Sequence, residues 1–486
     1  MNEELLKLSP GRVWYYFAEI LKIPRPSKKE EKIIAYLKEF SQKHKLNFIQ
    51  DETGNVLIRK PASQGLENRK TVVLQSHVDM VCEKNSDVVF DFEKDAIQTW
   101  IDDGWIKAKG TTLGADDGIG IAAQLAILES TEIAHGPMEC LFTVDEETGL
   151  TGAFGLRPGF LQGEILLNLD SEDDGELFIG CAGGRDTTAL FQYQEEEVPK
   201  NHKSFKLSVK GLLGGHSGDD IHKGRGNANK ILNRMLWTGS KDHGLRLASI
   251  DGGNLRNAIA REASSVFCLP ENKFTPFYTY IKSFRTVIQS ELEKTDPGVE
   301  IILAETKCKS IIDKDSQEKL LNALYACPHG VMAWSAEIPD FVETSTNLAS
   351  VKFEDQGIMV TTSQRSSVKS AREDICNMVA SVFRLGNADI KHSEGYPGWK
   401  PNPDSEIVSI TASLYEQLFQ RKPKVLAIHA GLECGLIGDV YPGMDMISYG
   451  PTIKGAHSPD ERLKIDTVEK FWKLTLEVLK SIPEKV

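Results

Sequence analysis

Short apolar runs, each leading into an acid or a histidine, set the strongest limit on what this chain can fold into. Thr71 to Ser76 (TVVLQS) runs into His77, Cys140 to Val144 (CLFTV) into Asp145-Glu146-Glu147, and Ile165 to Leu169 (ILLNL) into Asp170. Runs this short and this continuously apolar read as strands buried on both faces. Between them, Ile119 to Leu128 (IGIAAQLAIL) is apolar on more than one side and reads as a buried helix. Strands alternating with helices predict an α/β domain with a mostly parallel central sheet and helices on both faces. Ahead of it, Val13, Phe17, Ile20 and Leu21 fall on one helical face. Ser27-Lys28-Lys29-Glu30 reads as a capping box for a helix carrying Ile33, Ile34, Leu37 and Phe40. Asn55 to Lys60 reads as a further strand.

The pattern changes near Cys181-Ala182-Gly183-Gly184. Beyond it Phe205 to Lys210 alternates as in a sheet with one wet face, and Ile358 and Val360 mark another strand. After the Pro- and Gly-rich stretch from Tyr396 to Pro403 the buried pattern returns in Val425 to Ile428 and Met444 to Ser448, and a helix from about Ile465 closes the chain. At 486 residues the chain exceeds what one core usually serves. The simplest organisation is a discontinuous outer domain, 1–184 and 400–486, with an inserted α+β domain at 185–399. No internal repeat is evident in the sequence.

Composition removes several function classes. With 57 Lys+Arg against 70 Asp+Glu the formal charge is −13, which argues against a nucleic-acid partner. No apolar run reaches the length of a membrane span, and the acidic N-terminus lacks the apolar core of a secretory signal. The 8 Cys are scattered without a CxxC pair, so neither a disulfide framework nor a thiolate zinc site is expected. The expected compartment is a reducing cytoplasm.

The strand ends carry the chemistry, because sites in open α/β sheets form there. In His77-Val78-Asp79 the two outer side chains share a side of an extended backbone. His77 can bind a metal while Asp79 fixes its tautomer; alone, the pair would read as surface residues. In Leu113-Gly114-Ala115-Asp116-Asp117-Gly118 two acids precede the buried helix. One acid suffices as a cap, and Asp116 can bridge two metals with its two oxygens. Asp145-Glu146-Glu147 is either a solvated turn or a division of labour, with Glu147 ligating and Glu146 free as general base. Asp170 and His457 are unremarkable singly. Taken together, His77, Asp116, Glu147, Asp170 and His457 make an oxygen and nitrogen set suited to two divalent ions, Zn²⁺ or Mn²⁺ and Co²⁺, in a dinuclear hydrolytic centre.

The motifs HVD, GADDG, EETG, LDSED and GAHSPDE, in this order, resemble the M20 metallopeptidase family over essentially the whole chain. GTTLGADDGIGIA, GCAGG, GGHSG, GNANK, RNAIAREA and HAGLECG resemble its aminoacyl-histidine dipeptidase branch. The resemblance implies one metal held by His77, Asp116 and Asp170 and another by Asp116, Glu147 and His457. It implies Glu146 as general base, Asp79 as the partner of His77, and a cis peptide after Asp116. The insertion becomes a lid or dimerisation domain whose His216 stabilises the oxyanion, arriving by domain closure or from the second subunit of a homodimer. Arg365 resembles the family's binder of the substrate α-carboxylate, a role suited to its planar fork. Asn257, Gly431 and Glu433 fall at substrate-facing positions, with Glu433 equally readable as a buried structural acid. Ala260 stands where the family often has Pro. The expected function is a metal-dependent dipeptidase for Xaa-His, including β-Ala-His. A broader dipeptidase, a tripeptidase or an amino-acid deacylase could use the same centre. The contrasting reading is a non-catalytic peptide-binding protein.

Overall fold

The computed structural model describes residues 3–485. The chain divides into two compact units. The first comprises Met1–Gly180, Pro401–Ala427 and Leu432–Val486, and the second Cys181–Lys400 with Ile428–Gly431. The segments 181–184 and 428–431, placed in the outer domain by sequence, thus cluster with the insertion.

The first unit is built on an eight-stranded mixed sheet. Its centre is parallel: Val72–His77 lies between Met138–Thr143 and Ile165–Asn168, and Ile165–Asn168 pairs in turn with Asp445–Ser448. The flanks are antiparallel, with Val56–Lys60 on Met138–Thr143 and Glu176–Cys181 on Asp445–Ser448. Strands 72–77, 138–143 and 165–168 are buried at every position, which is why they are mostly apolar; among their buried polar members, Ser76 donates to Gln124 and Asn168 to Gln75. Helix Ala115–Glu129 packs on Val72–His77 and on helix Gly11–Ile20, and helix Glu406–Phe419 packs on Asp445–Ser448 and on the closing helix Ile465–Ser481.

The capping box does not form. Helix Glu31–His44 starts later, Lys28 has a positive φ of 67°, and the Ser27 hydroxyl donates to Asp79 Oδ2 at 2.7 Å. The Glu30 carboxylate instead accepts from the N–H groups of Lys28 and Asp145. The Ser27 hydroxyl is engaged as a donor to the carboxylate at the neighbouring strand end, and no side chain caps the helix.

The second unit contains a repeat that the sequence conceals. Strand His202–Lys210, helix Ala228–His243, strands Arg246–Gly252 and Ala263–Pro270, helix Phe274–Glu291 and strand Glu300–Thr306 form a βαββαβ unit. Strand Gly183–Phe191, helix Lys314–Ala326, strands Val342–Glu354 and Gly357–Ser366, helix Lys369–Leu385 and strand Asp389–His392 form another with the same strand order. The first copy is inserted into the second after its opening strand. The two second strands pair antiparallel through Asp251–Lys352 and Gly252–Val351, making one continuous sheet. Helices of both copies share a single core with that sheet, including Leu232, Leu236, Phe267, Phe277, Leu320, Val360 and Phe383. The alternation in Phe205 to Lys210 records its helix-covered and open faces. The repeat is one of strand order.

Candidate metal centre

Three strands deliver ligand groups at their carboxyl ends. His77 ends its strand, Glu146 and Glu147 follow Met138–Thr143, and Asp170 follows Ile165–Asn168. Asp116 opens the buried helix across a cis peptide to Asp117, as the resemblance implied. His457 comes from the loop between strands Ile453–Lys454 and Arg462–Lys464. These groups converge. His77 Nε2 lies 3.0 Å from Asp116 Oδ1 and 3.5 Å from Asp170 Oδ1. His457 Nε2 lies 3.2 Å from Asp116 Oδ2 and 3.0 Å from Glu147 Oε2. Asp116 therefore presents each of its oxygens to a different imidazole. Each trio, His77 with Asp116 and Asp170, and Asp116 with Glu147 and His457, brings its ligand atoms within 4.8 Å of one another. Glu147 Oε1 is buried with no hydrogen-bond partner among the described residues. This donor set, all N and O and ranging from buried His77 to exposed His457, fits divalent ions.

Asp79 organises the side of the centre facing His77. Its Oδ1 lies 3.3 Å from His77 Nδ1 and accepts the Glu146 N–H at 3.0 Å, while Oδ2 accepts the Glu147 N–H at 3.2 Å. Burial opposes its charge, but His77, Ser27 and the Glu146 N–H outweigh burial and hold the carboxyl at about 2. One carboxylate thus fixes both the imidazole and the turn that carries the two glutamates. That turn, Glu146–Gly149, is helical rather than extended. On this turn the Glu146 and Glu147 carboxylates come within 4.8 Å of each other and of His77. Burial and the charges of Glu433, Glu147 and Asp116 push Glu146 well above the ordinary carboxylate range, against the opposing His77.

The neighbouring acids Glu30, Asp79 and Asp145 also cluster, but protein donors occupy their oxygens. Asp145 accepts from the Thr148 and Thr151 hydroxyls, and Asp79 and Glu30 are engaged as described. That group is a hydrogen-bond network rather than a second ion site.

Two residues that sequence reasoning missed hold the Asp116 segment. Buried Arg25 donates to the carbonyls of Val78, Asp79 and Gly114, tying the His77 strand end to the Asp116 loop. A Cβ at Gly114 or Gly118 would come within 2.7 or 2.8 Å of its guanidinium, which accounts for both glycines. Glu461, the last residue of GAHSPDE, accepts the N–H groups of Leu113, Gly114 and Ala115 at 2.7–2.9 Å and ties the His457 loop to the same segment. Its place in a motif was the available signal; Arg25 had none. Glu461→Gln leaves one carbonyl oxygen for donors that now share two. A loss of about 10- to 100-fold in metal affinity is expected, read by competition with a chromogenic chelator.

The remaining sites separate by unit. Glu433 is in the first, 1% exposed, with Gln75 Nε2 and Thr143 Oγ1 donating to Oε2 at 2.6 and 2.7 Å. Burial lifts its carboxyl to about 7 against those bonds. Its Oε1 is buried with no hydrogen-bond partner among the described residues. His216, Asn257, Arg365 and Gly431 are in the second. His216 sits on a two-residue strand paired with Ala258–Ile259, and the Asn257 carbonyl accepts the Ser217 N–H at 2.8 Å. His216 Nδ1 is 3.2 Å from Asp219 Oδ2, and its Nε2 is 3.5 Å from Arg365 Nη2. The Asn257 side chain is exposed.

Residues 73–481 match the model of peptidase family M20/M25/M40. This chain belongs to the M20 metallopeptidase family. It is 43% identical over 483 residues to the cytosol non-specific dipeptidase of Escherichia coli strain K12, covering 99% of this chain and 100% of that protein. The crystal structure of an aminoacylhistidine dipeptidase from Vibrio alginolyticus is 46% identical, covers 100% of this chain and 99% of its own, and superposes with a TM-score of 0.92. An aminopeptidase from Bacillus cereus shares the fold at 16% identity and a TM-score of 0.58, over 98% of this chain and 99% of its own. No helix among the described residues is long and apolar enough to cross a membrane.

Proposed function

We propose that this M20 peptidase hydrolyses Xaa-His dipeptides, β-Ala-His among them. The observation that carries the reading is Asp116, with one oxygen toward His77 and the other toward His457. The Vibrio structure supports the substrate class through the name of that protein, and the E. coli relative's name supports a cytosolic setting. Two divalent ions, Zn²⁺ or in its place Mn²⁺ or Co²⁺, would be held by His77, Asp116 and Asp170 and by Asp116, Glu147 and His457. Ions so held act as Lewis acids and lower the pKa of water from about 15.7 towards about 7.

The chain's own groups then have distinct tasks. Glu146 takes the proton of the attacking water and gives it to the departing amine. Asp79 holds the Glu146 turn through a backbone bond, leaving the Glu146 carboxylate free for that transfer. His216 is assigned to the oxyanion, and Arg365 to the free α-carboxylate that a dipeptide carries on the residue directly after the scissile bond. Asn257 and Gly431 are assigned to substrate contact. A homodimer is the proposed assembly.

The name of the E. coli relative favours a second reading, a dipeptidase without His preference. Hydrolysis of β-Ala-His and Gly-His beside Gly-Leu, a tripeptide and an N-acyl amino acid decides between them, measured after chelation and after restoring Zn²⁺, Mn²⁺ or Co²⁺. Metal-dependent cleavage concentrated on the His dipeptides is expected. Equal rates on Gly-Leu would give the broader reading, and no cleavage with any ion would leave a binding protein.

A further inference from the structure

We infer that Tyr396 is a positioning residue for Arg365, and that the glycines of GCAGG and HAGLECG make room for it. The inference rests on the proposed role of Arg365 as the reader of the substrate α-carboxylate. Arg365 is 7% exposed, and its Nη1 donates to the Tyr396 hydroxyl at 2.9 Å. Its Nε is buried with no hydrogen-bond partner among the described residues, and Nη2 lies 3.5 Å from His216 Nε2. With Nη1 anchored on the phenol, the edge formed by Nε and Nη2 is the one left to grip a carboxylate with two parallel N–H bonds. A buried guanidinium with an unmet donor is a costly arrangement unless a ligand completes it.

The phenol itself is held on several sides. Tyr396 exchanges backbone hydrogen bonds with Gly184 at 2.9 and 3.1 Å, and its carbonyl accepts from Arg372. A Cβ at Gly184 would stand 2.6 Å from the ring, and one at Gly431 would stand 2.8 Å from it. Neither clash involves a flexible chain end, because the ring is pinned through its own backbone. Two separate motifs therefore lack side chains where this ring passes. The ring's hydroxyl is the group that reaches Arg365.

A guanidinium released from this anchor would sample several rotamers, and substrate binding would have to order it. Tyr396→Phe removes the hydroxyl and keeps the ring. We expect KM for Gly-His to rise about ten-fold, in line with losing a hydrogen bond to a charged group, with kcat within about two-fold. The competitive Ki of Gly-His amide, which has no carboxylate, should stay unchanged, as should the melting temperature. An unchanged KM, or an equal loss on Gly-His and its amide, would overturn the inference. Arg365→Lys tests the reading beneath it. If that variant leaves the preference for acid over amide intact, Arg365 does not read the carboxylate. If it abolishes the preference while Tyr396→Phe does not, only the role of Tyr396 falls. Tyr396→His, which keeps an acceptor on a smaller ring, should restore part of the lost KM relative to Tyr396→Phe if the anchor is a hydrogen bond.

Discussion

Glu146→Gln is expected to lower kcat on Gly-His by about a thousand-fold while both metal ions and the melting temperature are retained. The change is isosteric. The bond that fixes the Glu146 turn is made by its backbone N–H to Asp79, so the side chain can lose its basicity without releasing the turn. The neighbouring Glu147 keeps its oxygen 3.0 Å from His457 Nε2. An amide cannot accept the proton of the attacking water at neutral pH. Of the nearby carboxylates, Asp79 accepts donors on both oxygens and Glu433 accepts from Gln75 and Thr143 on Oε2. Steady-state kinetics, metal analysis by mass spectrometry and thermal melting together check the result. Turnover within ten-fold of the parent would remove Glu146 from the role.

The second large effect is expected at Asp116. Asp116→Asn keeps the size of the side chain but replaces one of the two oxygens with an NH₂ group that cannot ligate a cation. Because each oxygen faces its own imidazole, no single-sided repair is available. Metal content should fall from about two ions per chain to about one or fewer, and activity by at least about a thousand-fold. Asp170→Asn, by contrast, should weaken the ion beside His77 and leave the one beside His457. Equal retention of both ions in Asp116→Asn would mean that Asp116 does not bridge.

What could be read from the sequence follows from how each feature is encoded. The central strands were legible because strands buried on both faces carry short unbroken apolar stretches, Val72 to Leu74 and Ile165 to Leu167, ahead of their polar ends. The candidate ligand groups, which the structure brings together, were legible because polar residues at the ends of such strands stand out against them. The role of Asp117 was half-legible: its Oδ1 accepts the Gly120 N–H at 3.0 Å, so one acid of the pair does cap the helix while the other is left for the centre. The capping box misled because Ser27 has a partner distant in sequence, and local pattern carries no record of such partners. Arg25 and Tyr396 were invisible for the same reason, since their partners are backbone carbonyls and a guanidinium brought in by other strands. The doubled βαββαβ unit was hidden because the repeat is one of strand order.

That doubling, and the way one copy interrupts the other, dictates the order in which a nascent chain can complete its parts. Residues 202–306 form a contiguous βαββαβ unit and can close as they emerge, whereas the copy around them holds its opening strand waiting until Gly357–Ser366 has been made. The first unit waits longer still. Strand Glu176–Cys181 cannot take its place in the sheet until Asp445–Ser448 arrives to separate it from Ile165–Asn168. Non-local pairings of this kind close late. His457, the last of the proposed ligands in chain order, lies between strands Ile453–Lys454 and Arg462–Lys464. Translation therefore yields a finished insertion inside an unfinished host. A half-made chain that lacks this loop lacks one of the two imidazoles that face Asp116.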